Sequence, residues 1–527
     1  MKQALLILPL FVAPASADDL STPAGGHPGL MAIDWMILFL YAAATIGLGW
    51  YYSRRQQNTR EYFVGSGRMN PVLIGVSLFA TLLSTISYLA LPGEAAGRGP
   101  AYLTILLAYP LIFLIVGFVM LPVYMKQRVS SAYELLEERL GLGARLLGTF
   151  MFLLLRLVWM SLLIYLASKA MTVMLGVDDK WVPLIVLITG AVSIAYTTLG
   201  GLRAVVITDL MQTILLYGGA LMVIAFVTSH FGGFSWFPTQ WQDGWDTQPI
   251  ISLDPSTRVT VVGSILTGLI WYIATSGGDQ VSVQRFMATR DAKAARLALA
   301  VQLGVAALVG VTLVLVGFAL LRYFQSQPEL LPRGKTLREA ADDLFPRFIA
   351  FHLPPGISGL VVAAMFAAAM SSIDSGVNSI TAVVSTDLID RFSTRPQSDR
   401  HRVILARWLA LTIGTIVLMG STLIPHVPGN ITAVTNKTVN LLTVPIFCLF
   451  FLALFVRFAN PVGAWVGVSC STATTVLIAF SGPIFGQHPG TGEDPISFQW
   501  IGPTALVVGI TTGVGASALS AAARRRT

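Results

Sequence analysis

Charge is scarce in this chain. Only 11% of its 527 residues are Asp, Glu, Lys or Arg, while 54% are hydrophobic. A soluble domain of this size needs far more polar surface to cover its core, so the composition excludes that class and indicates a polytopic membrane protein. Cysteine is nearly absent. Cys448 and Cys470 both fall in apolar runs, which excludes a disulfide framework and a thiolate metal site. No His/Glu pair stands at metal-ligand spacing, and the hydroxyls of the apolar runs have no base arrangement, so an intramembrane enzyme is not indicated. The net charge of +8 belongs to loop arginines and lysines rather than to a nucleic-acid patch.

What the chain does have is a succession of apolar windows long enough to cross a bilayer. Thirteen are read, at 31–52, 71–91, 100–124, 145–175, 181–199, 205–229, 259–280, 297–324, 355–388, 403–424, 434–457, 461–482 and 499–521. Residues 1–17 read as a signal peptide, with Lys2, an apolar core over Ala4–Val12 and an Ala15-Ser16-Ala17 cleavage site. Residues 18–527 then form a single transmembrane domain. An outer N-terminus and an odd number of spans put the C-terminus inside. The basic residues agree with that orientation. Most fall in inner loops, among them Arg54, Arg55, Arg145, Arg285, Arg290, Arg391 and Arg524; few fall in outer loops, among them Arg98, Arg258 and Arg338. Two outer loops are long, 230–258 and 325–354. The first carries Trp236, Trp241 and Trp245 with Asp243 and Asp246, which reads as an interfacial aromatic belt or, less simply, a lid.

The stretch 355–390 organises the rest. It begins as an ordinary apolar span and then turns small and oxygen-rich, with Ser371, Ser372, Asp374, Ser375, Asn378, Ser379 and Thr381. Ser371 and Ser375 share a helical face, as do Ser372 and Ser379. Hydroxyls and a carboxylate at membrane depth are costly unless they face protein, water or an ion. Small oxygen ligands suit a hard cation such as Na⁺; equally, Ala, Ser and Thr let helices pack closely.

Two spans carry helix-breaking sequence in matching places. One has Ser84, Thr85 and Ser87 followed by Leu91-Pro92-Gly93-Glu94; the other has Thr275-Ser276-Gly277-Gly278-Asp279-Gln280. Unwound backbone at that depth must be buried or line a cavity, and it would free carbonyls at Ala80 and Leu83. The alternative is a pair of simple kinks. Arg156 lies roughly 16 Å from the inner end of its span at about 1.5 Å per residue. It reads either as a grip on a carboxylate or as one half of an internal pair with Asp374, Asp209 or helix carbonyls.

Three stretches together resemble the sodium:solute symporter family. They are Gly200-Gly201-Leu202-Arg203 through Asp209-Leu210-Met211-Gln212, Asp279-Gln280 through Gln284-Arg285-Phe286, and Ala368-Ala369-Met370-Ser371-Ser372 through Asn378-Ser379 and Thr386-Asp387. The resemblance implies an all-α, LeuT-type fold of five-plus-five inverted repeats, 71–229 and 259–457, with peripheral helices 31–52, 461–482 and 499–521. It implies Na⁺ as the coupling ion, held by Ala80, Leu83, Ala368, Ser371 and Ser372. A second cation or proton site would use Asp209, Asp374 and Ser375, where Asp374 departs from the hydroxyl of the members that bind a second sodium. The solute pocket would be lined by Ser84, Ser87, Arg156, Thr275 and Gln280. The expected function is sodium-coupled import of a small solute, an organic anion such as a carboxylate, by alternating access in the cell membrane, the inner membrane in a Gram-negative source. The expected partners are that solute and the lipid bilayer, with no nucleic acid and no obligatory protein. Proton coupling, a neutral sugar or amino acid, and a non-transporting membrane sensor are the rival readings.

Overall fold

The computed structural model describes residues 29–53, 67–83, 85–127, 131–175, 177–247, 249, 251–332, 334–393, 399–422, 431–487 and 494–524. The signal-peptide segment and Ser84 lie outside them. The described residues are helical, with no strand among them. Backbone polar groups have no water partner in hydrocarbon, and a helix satisfies them within one segment.

The first helix, α1 (Ala32–Ser53), stands outside the two repeats expected from the sequence, and the other helices follow in the order of that expected division. The first repeat opens with a broken pair, α2 (Pro71–Leu82) and α3 (Thr85–Arg98). Asn70 caps α2 by accepting from Val72 N at 2.8 Å, and Pro71 takes the first turn, where no N–H is needed. Then come α4 (Pro100–Lys126), the short inner helix α5 (Glu134–Leu140), α6 (Leu142–Leu175) and α7 (Val182–His230). The second repeat opens with α8 (Val261–Gly278) and α9 (Gln280–Met287). It continues through α10 (Ala292–Ser326), the outer helix α11 (Ala341–Phe351), α12 (Ile357–Asp390), α13 (Asp399–Ser421) and α14 (Ile431–Phe455). Two peripheral helices close the chain, α15 (Pro461–Ala479) and α16 (Ile501–Arg524).

Eleven helices among the described residues are long and apolar enough to cross a membrane, and the α2–α3 pair makes a twelfth. The remaining window, 181–199, is the first part of α7. That helix is one unit only nominally: Gly201 interrupts it with φ 60 and ψ −178, a conformation that suits a residue without Cβ. Two short helices, not foreseen from apolar periodicity, occupy matching places. Helix α5 follows the second span of the first repeat, and α11 follows the second span of the second repeat. One lies on the inner face and the other on the outer, as inversion of the repeats requires.

Both predicted interruptions are present. In the first, Leu83 leaves the helix with φ −82 and ψ 109, and the two halves meet at 64°. The break falls there rather than at Pro92, which sits inside α3. In the second, Asp279 is extended (φ −101, ψ 119) and caps α9 by accepting from Val281 N at 3.0 Å. Close approach holds α2 against α10, where a Cβ on Gly75 would come within 2.5 Å of the Ala298 carbonyl.

The tryptophan-rich outer loop is not a lipid belt at its core. Trp236 and Trp245 are buried, and only Trp241 is substantially exposed. Trp245 stacks on Phe318 of α10 and donates from Nε1 to the Ala96 carbonyl of α3 at 3.1 Å.

Candidate ion and solute site

Helix α12 is the most enclosed of the spans, and every residue from Val361 to Val383 is buried. Its serine pair meets the broken end of α2. Ser371 Oγ lies 2.8 Å from the Ala80 carbonyl and 3.0 Å from the Ala368 carbonyl. Ser372 Oγ donates to the Thr81 carbonyl at 3.0 Å. The Thr81 hydroxyl in turn lies 2.9 Å from Ser375 Oγ. Ala80, Ala368, Ser371 and Ser372 are thus drawn into one buried knot of neutral oxygens, and Leu83 ends the half-helix one turn beyond Ala80. Neutral carbonyl and hydroxyl oxygens fit a monovalent hard cation better than a divalent one. Thr81 was not singled out from the sequence; its contribution through both carbonyl and hydroxyl depends on where α2 stops.

A second cluster adjoins the first. Asp209 Oδ2 accepts from Ser77 Oγ at 2.5 Å and lies 3.4 Å from Arg285 Nη2. Arg285 Nε donates to Ser77 Oγ at 2.9 Å, its Nη1 to the Val281 carbonyl at 3.2 Å, and its Nη2 to Ser375 Oγ at 2.5 Å. Asp374 Oδ1 accepts from the Ser375 backbone N at 2.6 Å. Asp209, Arg285, Asp374 and Ser375 all have 0% exposure. Asp209, Asp374 and Ser375 are therefore together, as the resemblance implied, but around a guanidinium. Arg285, assigned to an inner loop from its position just beyond the span, is instead an interior residue. The amphipathic run over Gln280–Met287 does not distinguish a loop from a second half-helix buried all round, which α9 is.

The residues expected to line a solute pocket are less united. A cavity of about 180 Å³ is bounded by Ser87, Tyr102, Tyr109, Tyr272, Gln302 and Asn436 among others, and no charged side chain among the described residues lines it. A smaller one, about 30 Å³, is bounded by Arg156, Asp279, Thr275, Thr81 and Thr443. Leu82, Trp159, Trp271 and Val439 border both and form the wall between them. Arg156 pairs with Asp279, which is not among the partners considered for it from the sequence. Its Nε and the Thr275 hydroxyl are both buried and lack protein partners among the described residues. Gln280 faces elsewhere: it is fully buried and accepts from Ala132 N at 2.7 Å, tying α9 to the segment before α5. Gln302 and Asn436 are not legible in the sequence, because a lone amide in an apolar span carries no spacing signal.

Comparison with known proteins places these features in a wider set. The model of the sodium:solute symporter family matches residues 62–470. The sodium/sialic acid symporter SiaT of Proteus mirabilis (strain HI4320) is 32% identical over 458 residues, which cover 83% of this chain and 88% of that protein. The human sodium-coupled monocarboxylate transporter 1 is 28% identical over 86% of this chain and 74% of its own. The structure of a substrate-bound, outward-open Na⁺-coupled sialic acid symporter superposes with a TM-score of 0.79 at 28% identity, covering 93% of this chain and 98% of that one.

Proposed function

The chain belongs to the sodium:solute symporter family, and from that premise we propose that it imports a small organic anion together with Na⁺ by alternating access. The observation that carries the sodium part is the knot of Ala80, Ala368, Ser371 and Ser372 oxygens joining the broken end of α2 to α12. A cation there draws the two helices together by replacing donated hydroxyl hydrogens with a shared charge. That favours the state in which both helices frame the pocket, so ion and solute stabilise one conformation in common. The membrane potential adds about 2.3 kcal/mol per charge per 100 mV. Asp209, Asp374 and Ser375 are a further cation or proton site in this reading. Two carboxylates facing one Arg285 guanidinium leave one negative charge for a coupling cation to balance.

For the solute, relatives named as sialic acid symporters and the partnerless Nε of Arg156 at the smaller cavity support an organic acid. Its carboxylate would take the place that Asp279 holds on Arg156, and its body would occupy the larger cavity. The about 180 Å³ there is below the usual range for small-molecule pockets of about 300–1,000 Å³, so side chains at the Leu82–Trp159 wall move when a solute enters. A neutral solute is the second reading, favoured by the uncharged lining of that larger cavity.

The test begins with melting of the purified protein in Na⁺ and in K⁺ at equal ionic strength. A sodium-specific rise is expected by linkage. Uptake into proteoliposomes under a sodium gradient then compares sialic acid and a monocarboxylate with a neutral sugar. Acid uptake that Arg156→Gln abolishes supports the anion; sugar uptake that survives it establishes the neutral reading. Equal melting in both salts removes the sodium assignment.

A further inference from the structure

Asn378 stands on α12 seven residues beyond Ser371 and is 3% exposed. Neither its Oδ1 nor its Nδ2 has a protein hydrogen-bond partner among the described residues. A buried amide that gives up water without gaining a protein partner is costly, and an exchanging water or ion is one reason to keep it. At about 100° per residue, Ser371, Asp374, Ser375 and Asn378 fall within one arc about 100° wide. That arc already carries the oxygens described above: Ser371 meets the Ala80 carbonyl, and Ser375 meets Thr81 and Arg285. Another side of α12 is closed by apolar packing, with Gly376 seated against Met160. Asn378 lies roughly 10 Å inward of Ser371 along the helix axis. One further repeat of the arc reaches Ser385, which is only half-buried.

We propose that Asn378 is a transient ligand for the coupling cation on its way to the inner face. The ion leaves the Ser371–Ser372 knot, passes Asp374, is held by the Asn378 amide oxygen and emerges near Ser385. A neutral amide oxygen suits that task. It replaces part of the hydration shell, so the ion enters, but it lacks the full charge that would keep the ion there. The inference rests on the sodium-coupled reading and adds to it a release route.

The experiment uses the full chain in proteoliposomes with Asn378→Leu and Asn378→Asp. Net uptake under a sodium gradient requires ion release; solute exchange with saturating Na⁺ on both sides does not. For Asn378→Leu, net uptake is expected to fall about tenfold while exchange and the sodium-dependent melting rise stay within about twofold of wild type. For Asn378→Asp, internal Na⁺ should inhibit net uptake at a roughly tenfold lower concentration, because a carboxylate holds the ion at the exit. A parallel loss of exchange and uptake, unchanged uptake in Asn378→Leu, or a lower sodium-free melting temperature would make Asn378 a packing residue and overturn the proposal. A wild type without sodium dependence removes the coupling reading itself, whereas a sodium-coupled wild type with two silent variants removes only the release route.

Discussion

At the scale of single residues, the serine pair on α12 is the part of the proposed ion site that is legible in the sequence. Hydroxyls in an apolar span need a reason, and small side chains next to a predicted helix break supply one. Their partners were less legible. The Ala80 carbonyl was anticipated, but Thr81, Asp279 and Arg285 were not assigned their roles, because a carbonyl or a counter-ion is chosen by tertiary packing. Arg285 follows its span closely enough to look like an orienting charge, yet it is wholly enclosed between Asp209 and Ser375. The residue that best tests the site is Ser372, which holds only the Thr81 carbonyl among the contacts of the knot. Ser372→Ala should weaken Na⁺ binding about tenfold, the roughly 1.5 kcal/mol of a hydrogen-bonding group that meets a charge. The melting temperature in K⁺ should drop only slightly, since the lost neutral hydrogen bond is worth about 1 kcal/mol. Titration of the melting temperature with NaCl measures both. An unchanged sodium midpoint would take Ser372 out of the site.

At the scale of elements, the breaks were readable from Gly277-Gly278 and from the hydroxyl-rich run near Ser87, while α11 was not. Its sequence, Ala341–Phe351, carries Asp342, Asp343 and Pro346, and it reads as loop until α3 is present to pack on. Gly93 makes that contact possible, since a Cβ there would lie 2.8 Å from the Ala341 carbonyl. At the other end of α11, the His352 ring packs among Tyr323, Phe324 and Phe348. Burial, and secondarily the nearby Arg347 charge, lowers its pKa from 6.5 to about 4. When α11 opens, the ring regains its ordinary affinity and takes up a proton at any pH between those two values. The open form then binds more protons than the closed form, so this helix loses stability as pH falls below about 6.5 and loses no more below about 4. Amide exchange of residues 341–351 should therefore quicken between about pH 7.5 and pH 5 beyond its intrinsic pH dependence, and His352→Gln should flatten that response. A response of the same size in the variant would place the titrating group elsewhere.

At the scale of the whole molecule, the order of spans and their expected orientation follow from hydropathy and basic residues, and the expected inverted pair of repeats from two break sequences together with the family resemblance. Sequence does not reveal how the outer loop ties the repeats together. The loop before α8 bridges them through charge. Arg258 pairs with Glu94 of α3 and, at 3.2 Å, with Asp246, which also binds Arg338 at 2.9 Å in the approach to α11. Trp245 adds its stacking on Phe318 of α10. Asp246 is the hub, because it alone in this set meets both Arg258 and Arg338. If rocking of the repeats opens the outer side, these contacts part, and their strength favours the closed arrangement. Asp246→Asn keeps the shape and removes the charge. The loss should be roughly 1–2 kcal/mol for a pair that is partly screened by solvent, or about five- to thirtyfold in the balance between closed and open. A cysteine introduced at Ser87, which lines the larger cavity, reports that balance through its rate of modification by an impermeant thiol reagent added outside. Cys448 is fully buried and Cys470 half-buried, so a Cys470→Ser background keeps the signal specific. Modification at position 87 should speed up by that factor in Asp246→Asn. Equal rates would mean that the loop decorates the outer face without restraining it, and that the closed arrangement is held by helix packing alone.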